Sequence, residues 1–266
     1  MRWVPRFLKK NPKVAVVRLE GTIAADMSFG ASLNDANTSK AIEKAFAIRN
    51  ACAVALLINS PGGSPVQSSL IASRIRRLAK RNKIKVLAFC EDVAASGGYW
   101  LACSADEIYA DKNTIVGSIG VISSGFGFHQ LIERQGIERR VYTAGEDKSI
   151  LDPFRPQKQR DIKKLKKLQE QIHNNFIKHV KNSRGLKIKS DDVFSGEFWL
   201  ADEAFEKGLI DGVGQLESTV EEIFGENCKL VQVSSKKSFL SRLGRGVYQS
   251  LSEALITKIN LSRFGL

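Results

Sequence analysis

Apolar residues in this chain either cluster in short runs or recur every three or four positions, and the two patterns alternate. The runs at 14–19, 53–59, 86–90, 107–110 and 140–143 are rich in β-branched and small apolar residues and predict strands. Between the second and third, Leu70, Ile71, Ile75 and Leu78 share one face of a helix predicted over 66–80. Ile162, Leu165, Leu168, Ile172, Phe176 and Val180 keep the same spacing, which predicts a long helix over 156–183, entered through Pro156 and closed by Gly185. A short helix at 201–207 should end at Gly208, and 229–233 reads as a last strand. Strands alternating with amphipathic helices favour an α/β fold around a largely parallel sheet.

From about residue 235 the texture changes. Leu240, Leu243, Val247, Leu251, Leu255 and Ile259 hold a helical spacing among Arg and Lys, with Gly244 and Gly246 weakening its first turns. The expected organisation is one domain over 1–234 and an amphipathic helical tail over 235–266, suited to a partner subunit or a membrane surface. No internal repeat is visible, and no window approaches the ~20 apolar residues of a membrane span. The stretch 1–13 is basic but lacks the apolar segment of an export signal, and is read as the mature start.

Composition narrows the class. The chain has 266 residues, 43% of them hydrophobic, with 41 Lys+Arg against 28 Asp+Glu for a net charge of +13. That is a folded chain with an ample core rather than a disordered one. The surplus lies in stripes: residues 155–189 carry 12 basic and 2 acidic side chains, 74–85 carry 7 and 0, and 1–13 carry 5 and 0. No nucleic-acid-binding motif accompanies them, so solvated helix faces or contact with anionic lipid are the expected uses. Cys52, Cys90, Cys103 and Cys228 are scattered, which suggests buried thiols and neither a metal site nor a disulfide framework. No cofactor is implied.

Two glycine-rich segments carry candidate chemistry. Ser60-Pro61-Gly62-Gly63-Ser64 follows a strand and precedes a helix, and its glycines permit positive φ and unobstructed N–H groups, as an oxyanion hole requires. Ala95-Ser96-Gly97-Gly98-Tyr99 repeats that context, with Ser96 flanked by small residues at a helix N-terminus. Ser96 could be a nucleophile or a simple helix cap. A nucleophile needs a base, and neither His129 nor the pair His173 and His179, read as facing solvent from the long helix, is well placed. Lys148, in a turn-rich segment, is the other candidate. With an ordinary pKa near ~10.4, it would have to be buried to serve as a neutral base at pH 7.

Taken in order, Ser60-Pro61-Gly62-Gly63, Ala95-Ser96-Gly97-Gly98-Tyr99, Gly117-Ser118-Ile119-Gly120-Val121 and Lys148-Ser149 with Asp152-Pro153-Phe154 resemble the signal peptide peptidase A (protease IV) family of serine peptidases over residues 14–215. The resemblance implies a ClpP/crotonase-like α/β fold, Ser96 as nucleophile, Lys148 as general base and Ser118 orienting the lysine. It further implies an oxyanion hole from the N–H groups of Gly63 and Gly97, and a homo-oligomeric ring in which neighbouring subunits can complete the site. Many family members carry a membrane anchor, and none is expected here; Glu146 and Asp147 beside Lys148 would favour its charged form.

The expected activity is hydrolysis of peptide bonds, in signal-peptide remnants or other extended peptides, through an acyl-enzyme on Ser96. Gly62, Val93 and Ile122 are the expected substrate contacts, and the expected location is cytoplasmic with peripheral contact at the inner membrane. Two alternatives remain at this point: a crotonase-like acyl-CoA enzyme, which shares the glycine-rich oxyanion hole, and a non-catalytic membrane-surface scaffold.

Overall fold

The structure is a computed structural model that describes residues 12–25, 32–145, 148–233 and 264. Its described contacts divide the chain into two units, 1–120 with 177–266, and 121–176. The expected boundary at 234/235 falls at the edge of the described residues, and the tail helix lies outside them apart from Phe264.

The first unit is built on an eight-stranded sheet. In chain order its elements are β1 (Lys13–Glu20), α1 (Asp35–Phe46), β2 (Ala51–Ser60), α2 (Pro65–Asn82), β3 (Lys85–Ala95), α3 (Gly97–Ala102), β4 (Glu107–Ala110) and β5 (Ile115–Gly117). The second unit contributes α4 (His129–Arg134) and the start of α5 (Gln159–Arg184), whose end returns to the first. There follow β6 (Phe198–Leu200), α6 (Ala201–Glu206), β7 (Gly212–Val213), α7 (Leu216–Phe224) and β8 (Lys229–Val233).

The strands run β6-β5-β3-β2-β1-β8, all parallel except the β5–β6 pair. Parallel strands need cover on both faces, which is why they read as continuous apolar runs rather than alternating ones. Val14, Ala15, Val16 and Val17 are all buried, as are Ala53 through Leu56 and Val86 through Phe89. One face packs Val14, Val16, Ala55, Leu87 and Phe89 against Leu216 and Val220 of α7. Ile71 and Ile75 of α2 are fully buried; burial on this scale contributes about 1.5–3 kcal/mol per side chain.

Helix starts follow local chemistry. Asn34 caps α1 by accepting from the Asn37 N–H at 2.8 Å, and Ser64 with Pro65 opens α2. Arg74 of α2 then clamps Asp35 at the start of α1 through two 2.7 Å hydrogen bonds.

β3 forks. Its first half, Leu87–Cys90, pairs with β4, and its last three residues, Val93–Ala95, pair with β5. The strand is therefore longer than the 86–90 expected, and its extension leads straight into Ser96. The expected strand at 140–143 is not formed: the segment is mostly exposed and belongs to no strand among the described residues. Leu70 and Leu168 were expected on buried faces but are about half exposed. Small residues seal α2 instead, with Ser68, Ala72 and Ala79 buried beside Ile71 and Ile75.

Candidate active site

Ser96 is the one partly accessible residue in a run where 93–95 and 97–100 are all buried. Its backbone sits at φ 52°, ψ −119°, and its side chain makes no capping bond to α3. The helix-cap reading of Ser96 therefore fails. A non-glycine residue in this region is strained and has to be held there by its surroundings. The holding bonds are visible: the Ser96 N–H donates to the Gly117 carbonyl at 2.8 Å, and the Ser96 carbonyl accepts from the Trp100 N–H at 3.0 Å.

The glycines around Ser96 make room for it. A β-carbon on Gly62 would lie 2.6 Å from the Gly97 nitrogen and 2.7 Å from the Ser96 β-carbon. On Gly98 it would lie 2.3 Å from the Ser60 carbonyl oxygen, and on Gly117 it would strike the Trp199 ring at 2.9 Å. The strand-to-helix turn at Gly62-Gly63, with φ of 96° and 139°, thus packs directly on the turn that carries Ser96. Buried Ser60 holds it by donating to the Gly21 carbonyl at 2.7 Å and accepting from the Gly62 N–H at 3.2 Å. Ile23 clasps the same turn, its N–H on the Gly62 carbonyl at 2.9 Å and its carbonyl on the Ser64 N–H at 2.7 Å. Gly63 is exposed.

Ser118 follows Gly117, buried and at φ 53°, with its N–H on the Glu197 carbonyl. Ser96, Gly62, Gly63, Gly97, Ser118 and Val93 all belong to the first unit. Lys148 and Ile122 belong to the second, and both are exposed within the single chain. Lys148 starts a turn that runs to Leu151, its own N–H on the Gly145 carbonyl at 3.3 Å, and the Asp152-Pro153-Phe154 segment follows it. The Asp152 carboxylate accepts from the Phe154 N–H at 3.0 Å and from Arg139 at 3.1 Å, and both bonds hold its pKa below the usual carboxylate value. The Phe128 N–H reaches the Pro153 carbonyl at 2.7 Å, and the Phe128 and Phe154 rings pack 5.5 Å apart. Glu146 and Asp147 lie outside the described residues.

His179 does not face solvent as expected. It stacks on Trp100 of α3 at 4.9 Å, and its Nε2 lies 3.0 Å from the Trp100 carbonyl; burial lowers its pKa. Burial also pushes the thiols of Cys90 and Cys103 up to about 12, so neither offers a thiolate nucleophile. Among the described residues no cluster of His, Cys, Asp or Glu could hold a metal ion. A separate cavity of about 450 Å³ is lined by Arg18, Glu91, Asp92 and Asp111 among others, and includes none of the candidate catalytic, oxyanion-hole or substrate-binding residues.

A family model, Peptidase family S49, matches residues 78–227, more than half of the chain. The chain belongs to Peptidase family S49. Its similarity to "Protease 4" of Haemophilus influenzae is 34% identity over 211 residues, covering 78% of this chain and 34% of that protein. It is 48% identical over 249 residues to a Brucella abortus protein called "Na(+)/H(+) antiporter NhaA", covering 92% of this chain and 34% of that one. The chain thus spans about a third of the length of these relatives, and the antiporter name describes a Brucella protein about three times as long. Among solved structures, a mutant of the "1510-N membrane-bound stomatin-specific protease" superposes with a TM-score of 0.53 at 16% identity, covering 86% of this chain and all of that one. That likeness establishes the S49 fold, a ClpP-like arrangement of a central sheet and helices. Among the described residues of this S49 chain, no helix is long and apolar enough to cross a membrane.

The sequence marked Gly117 as part of a motif but gave no sign that its carbonyl fixes the Ser96 backbone, nor of the strand β5 that carries it and its neighbour β6. The signal was the glycine in Val116-Gly117-Ser118, where a three-residue strand is too short to show periodicity.

Proposed function

We propose that the chain is a serine endopeptidase that cleaves extended peptides through an acyl-enzyme on Ser96. The strained backbone and accessible position of Ser96, between buried glycine-rich turns, carry this reading. The Ser96 Oγ attacks the scissile carbonyl carbon as its proton passes to the neutral Lys148 amine, and the N–H groups of Gly63 and Gly97 receive the developing oxyanion. The C–N bond then breaks, with the lysine proton going to the departing amine. Water cleaves the ester by the same route in reverse order, returning Ser96 and neutral Lys148. Ser118 orients the lysine, and Gly62, Val93 and Ile122 contact substrate.

Lys148 is exposed in the single chain, whereas a neutral lysine base needs a dry setting. A homo-oligomeric ring, in which another copy covers Lys148, meets that need. The many exposed Lys and Arg side chains of α2 and α5 suit peripheral contact with anionic lipid at the cytoplasmic side of the inner membrane.

The test is labelling with a fluorophosphonate probe together with hydrolysis of a quenched peptide. Wild type should do both, Ser96→Ala neither, and Lys148→Ala should lose at least about 10³-fold. Full peptidase activity in Ser96→Ala would overturn the assignment. Turnover of an acyl-CoA thioester without labelling would favour the crotonase-like alternative.

A further inference from the structure

Ser96 and Ser118 both sit in backbone that a residue with a side chain rarely adopts, at φ 52° and 53°, and one short segment from much later in the chain braces them. The segment is the turn at 195–197 together with β6. Its Glu197 carbonyl accepts the Ser118 N–H at 2.6 Å, and Gly196 lies so close to Gly120 that a β-carbon on Gly120 would stand 3.1 Å from the Gly196 Cα. Burial alternates along β6: Phe198 and Leu200 are about half exposed, whereas Trp199 between them is 5% exposed. That one inward side chain lies against Gly117. A β-carbon on Gly117 would come within 2.9 Å of Cε3 and Cζ3 of the indole. Gly117 in turn holds the nucleophile, since its carbonyl accepts the Ser96 N–H at 2.8 Å. The indole is fixed from the end of α6 as well: Lys207 Nζ lies 5.0 Å from the ring centroid and is tied to the Asp192 carboxylate at 2.7 Å.

We propose that Trp199 is a positioning residue for the Ser96 nucleophile, acting through Gly117. This rests on the serine peptidase reading of the same site. The strained Ser96 backbone has to be held by its surroundings, and its bond to the Gly117 carbonyl holds it only while the Gly117 peptide cannot shift. Gly117 has no side chain to anchor it, so the flat, rigid indole packed on its bare Cα does so instead. Trp199 is buried, and its effect reaches the chemistry through the placement of Ser96 rather than through contact with substrate. A misplaced nucleophile slows the chemical step while leaving substrate affinity in place, so the loss belongs in kcat and not in KM.

The experiment measures kcat and KM on a quenched peptide, and the maximal rate of fluorophosphonate labelling at Ser96. It compares wild type with Trp199→Leu, Trp199→Phe and Leu216→Ala, with folding checked by near-ultraviolet circular dichroism and rates expressed per folded molecule. Leu216 belongs to the separate core cluster under α7, so Leu216→Ala reports what loss of packing alone does. Trp199→Leu keeps an apolar side chain but no ring, and should lower kcat and the labelling rate by about 10²-fold with KM within about twofold of wild type. Trp199→Phe restores a flat ring and should recover at least about tenfold of that loss, and Leu216→Ala should keep the wild-type kcat. Lys207→Met releases the ring from α6 and should lower kcat by about threefold. An unchanged kcat in Trp199→Leu, a loss carried by KM, or a loss that Trp199→Phe fails to recover or Leu216→Ala reproduces overturns the positioning role. If Trp199→Leu does not fold, an unchanged kcat in Lys207→Met overturns it. Absence of labelling and of hydrolysis in wild type overturns the serine reading itself, and the positioning role with it.

Discussion

Gly62 and Ser96 occupy a shared space that only a residue without a side chain can concede: a β-carbon on Gly62 would stand 2.7 Å from that of Ser96. The first turn therefore sets the position of the second. Gly62→Ala should displace Ser96 or the turn by a few tenths of an ångström or more, and strain a residue at φ 96°. Expected outcomes are a fall in the labelling rate of about 10²-fold and a stability loss of about 1–3 kcal/mol, read by probe kinetics and denaturant unfolding.

Ser96 itself trades stability for exposure. Replacing it with glycine, which adopts φ 52° freely, should stabilise the protein by about 1 kcal/mol while abolishing labelling. A destabilised Ser96→Gly protein in urea titrations would show that the serine backbone is unstrained in the folded protein.

Arg184 closes α5 against the turn after α6. Its guanidinium is buried, donating to the Gly208 carbonyl at 3.0 Å and to Asp211 at 2.6 Å, while Lys187 reaches the other Asp211 oxygen at 2.6 Å. Arg184→Ala leaves a partly buried carboxylate with only the exposed Lys187 ammonium and the Ile108 N–H as partners and should cost about 3–5 kcal/mol. Burial opposes ionisation of Asp211, but Arg184 and Lys187 outweigh it and hold the folded pKa below the ordinary value. The group is then a source of stability above the unfolded carboxylate pKa of ~3.9 that is lost as pH falls toward the folded value. Midpoints measured from pH 5 to pH 2 should decline less steeply in Asp211→Asn than in wild type.

His179 gives a milder pH response nearer neutrality. Its folded pKa is lowered by burial, partly offset by the Trp100 carbonyl. Above the unfolded value of ~6.5 the ring is neutral in both states; below it the unfolded chain binds the proton more readily, so stability falls with pH toward the folded value. Thermal midpoints between pH 7.5 and pH 5 should fall in wild type and flatten in His179→Gln.

Much of this architecture was legible because burial on both faces of a parallel sheet writes itself as unbroken apolar runs. β1, β2 and β4 appear where Val14–Leu19, Ala53–Asn59 and Glu107–Ala110 read as strands, and α2 and α5 follow their 3.6-residue stripes. The glycine pairs flanking Ser60 and Ser96 were legible for a different reason: close backbone approach leaves no substitute for glycine. The residues around Arg140 misled because an extended apolar-polar pattern needs a neighbouring strand to become sheet, and the described chain supplies none. β5 and β6 escaped because three residues cannot display a period, and the packing of Phe264 against Val93, Ala95 and Ile115 because those residues are distant in sequence. His179 was misread for lack of any local sign that Trp100 would stack on it.

The fork in β3 has a bearing on biosynthesis. Both halves lean on strands close in sequence, β4 and β5, and each of these is flanked in turn by a strand from far later in the chain, β7 beside β4 and β6 beside β5. Non-local pairings form late because their loop closure must be met first. The outer edges of both branches are therefore completed only after residues 198–213 have joined the sheet, so the turn that carries Ser96 gains its full bracing once most of the chain is present.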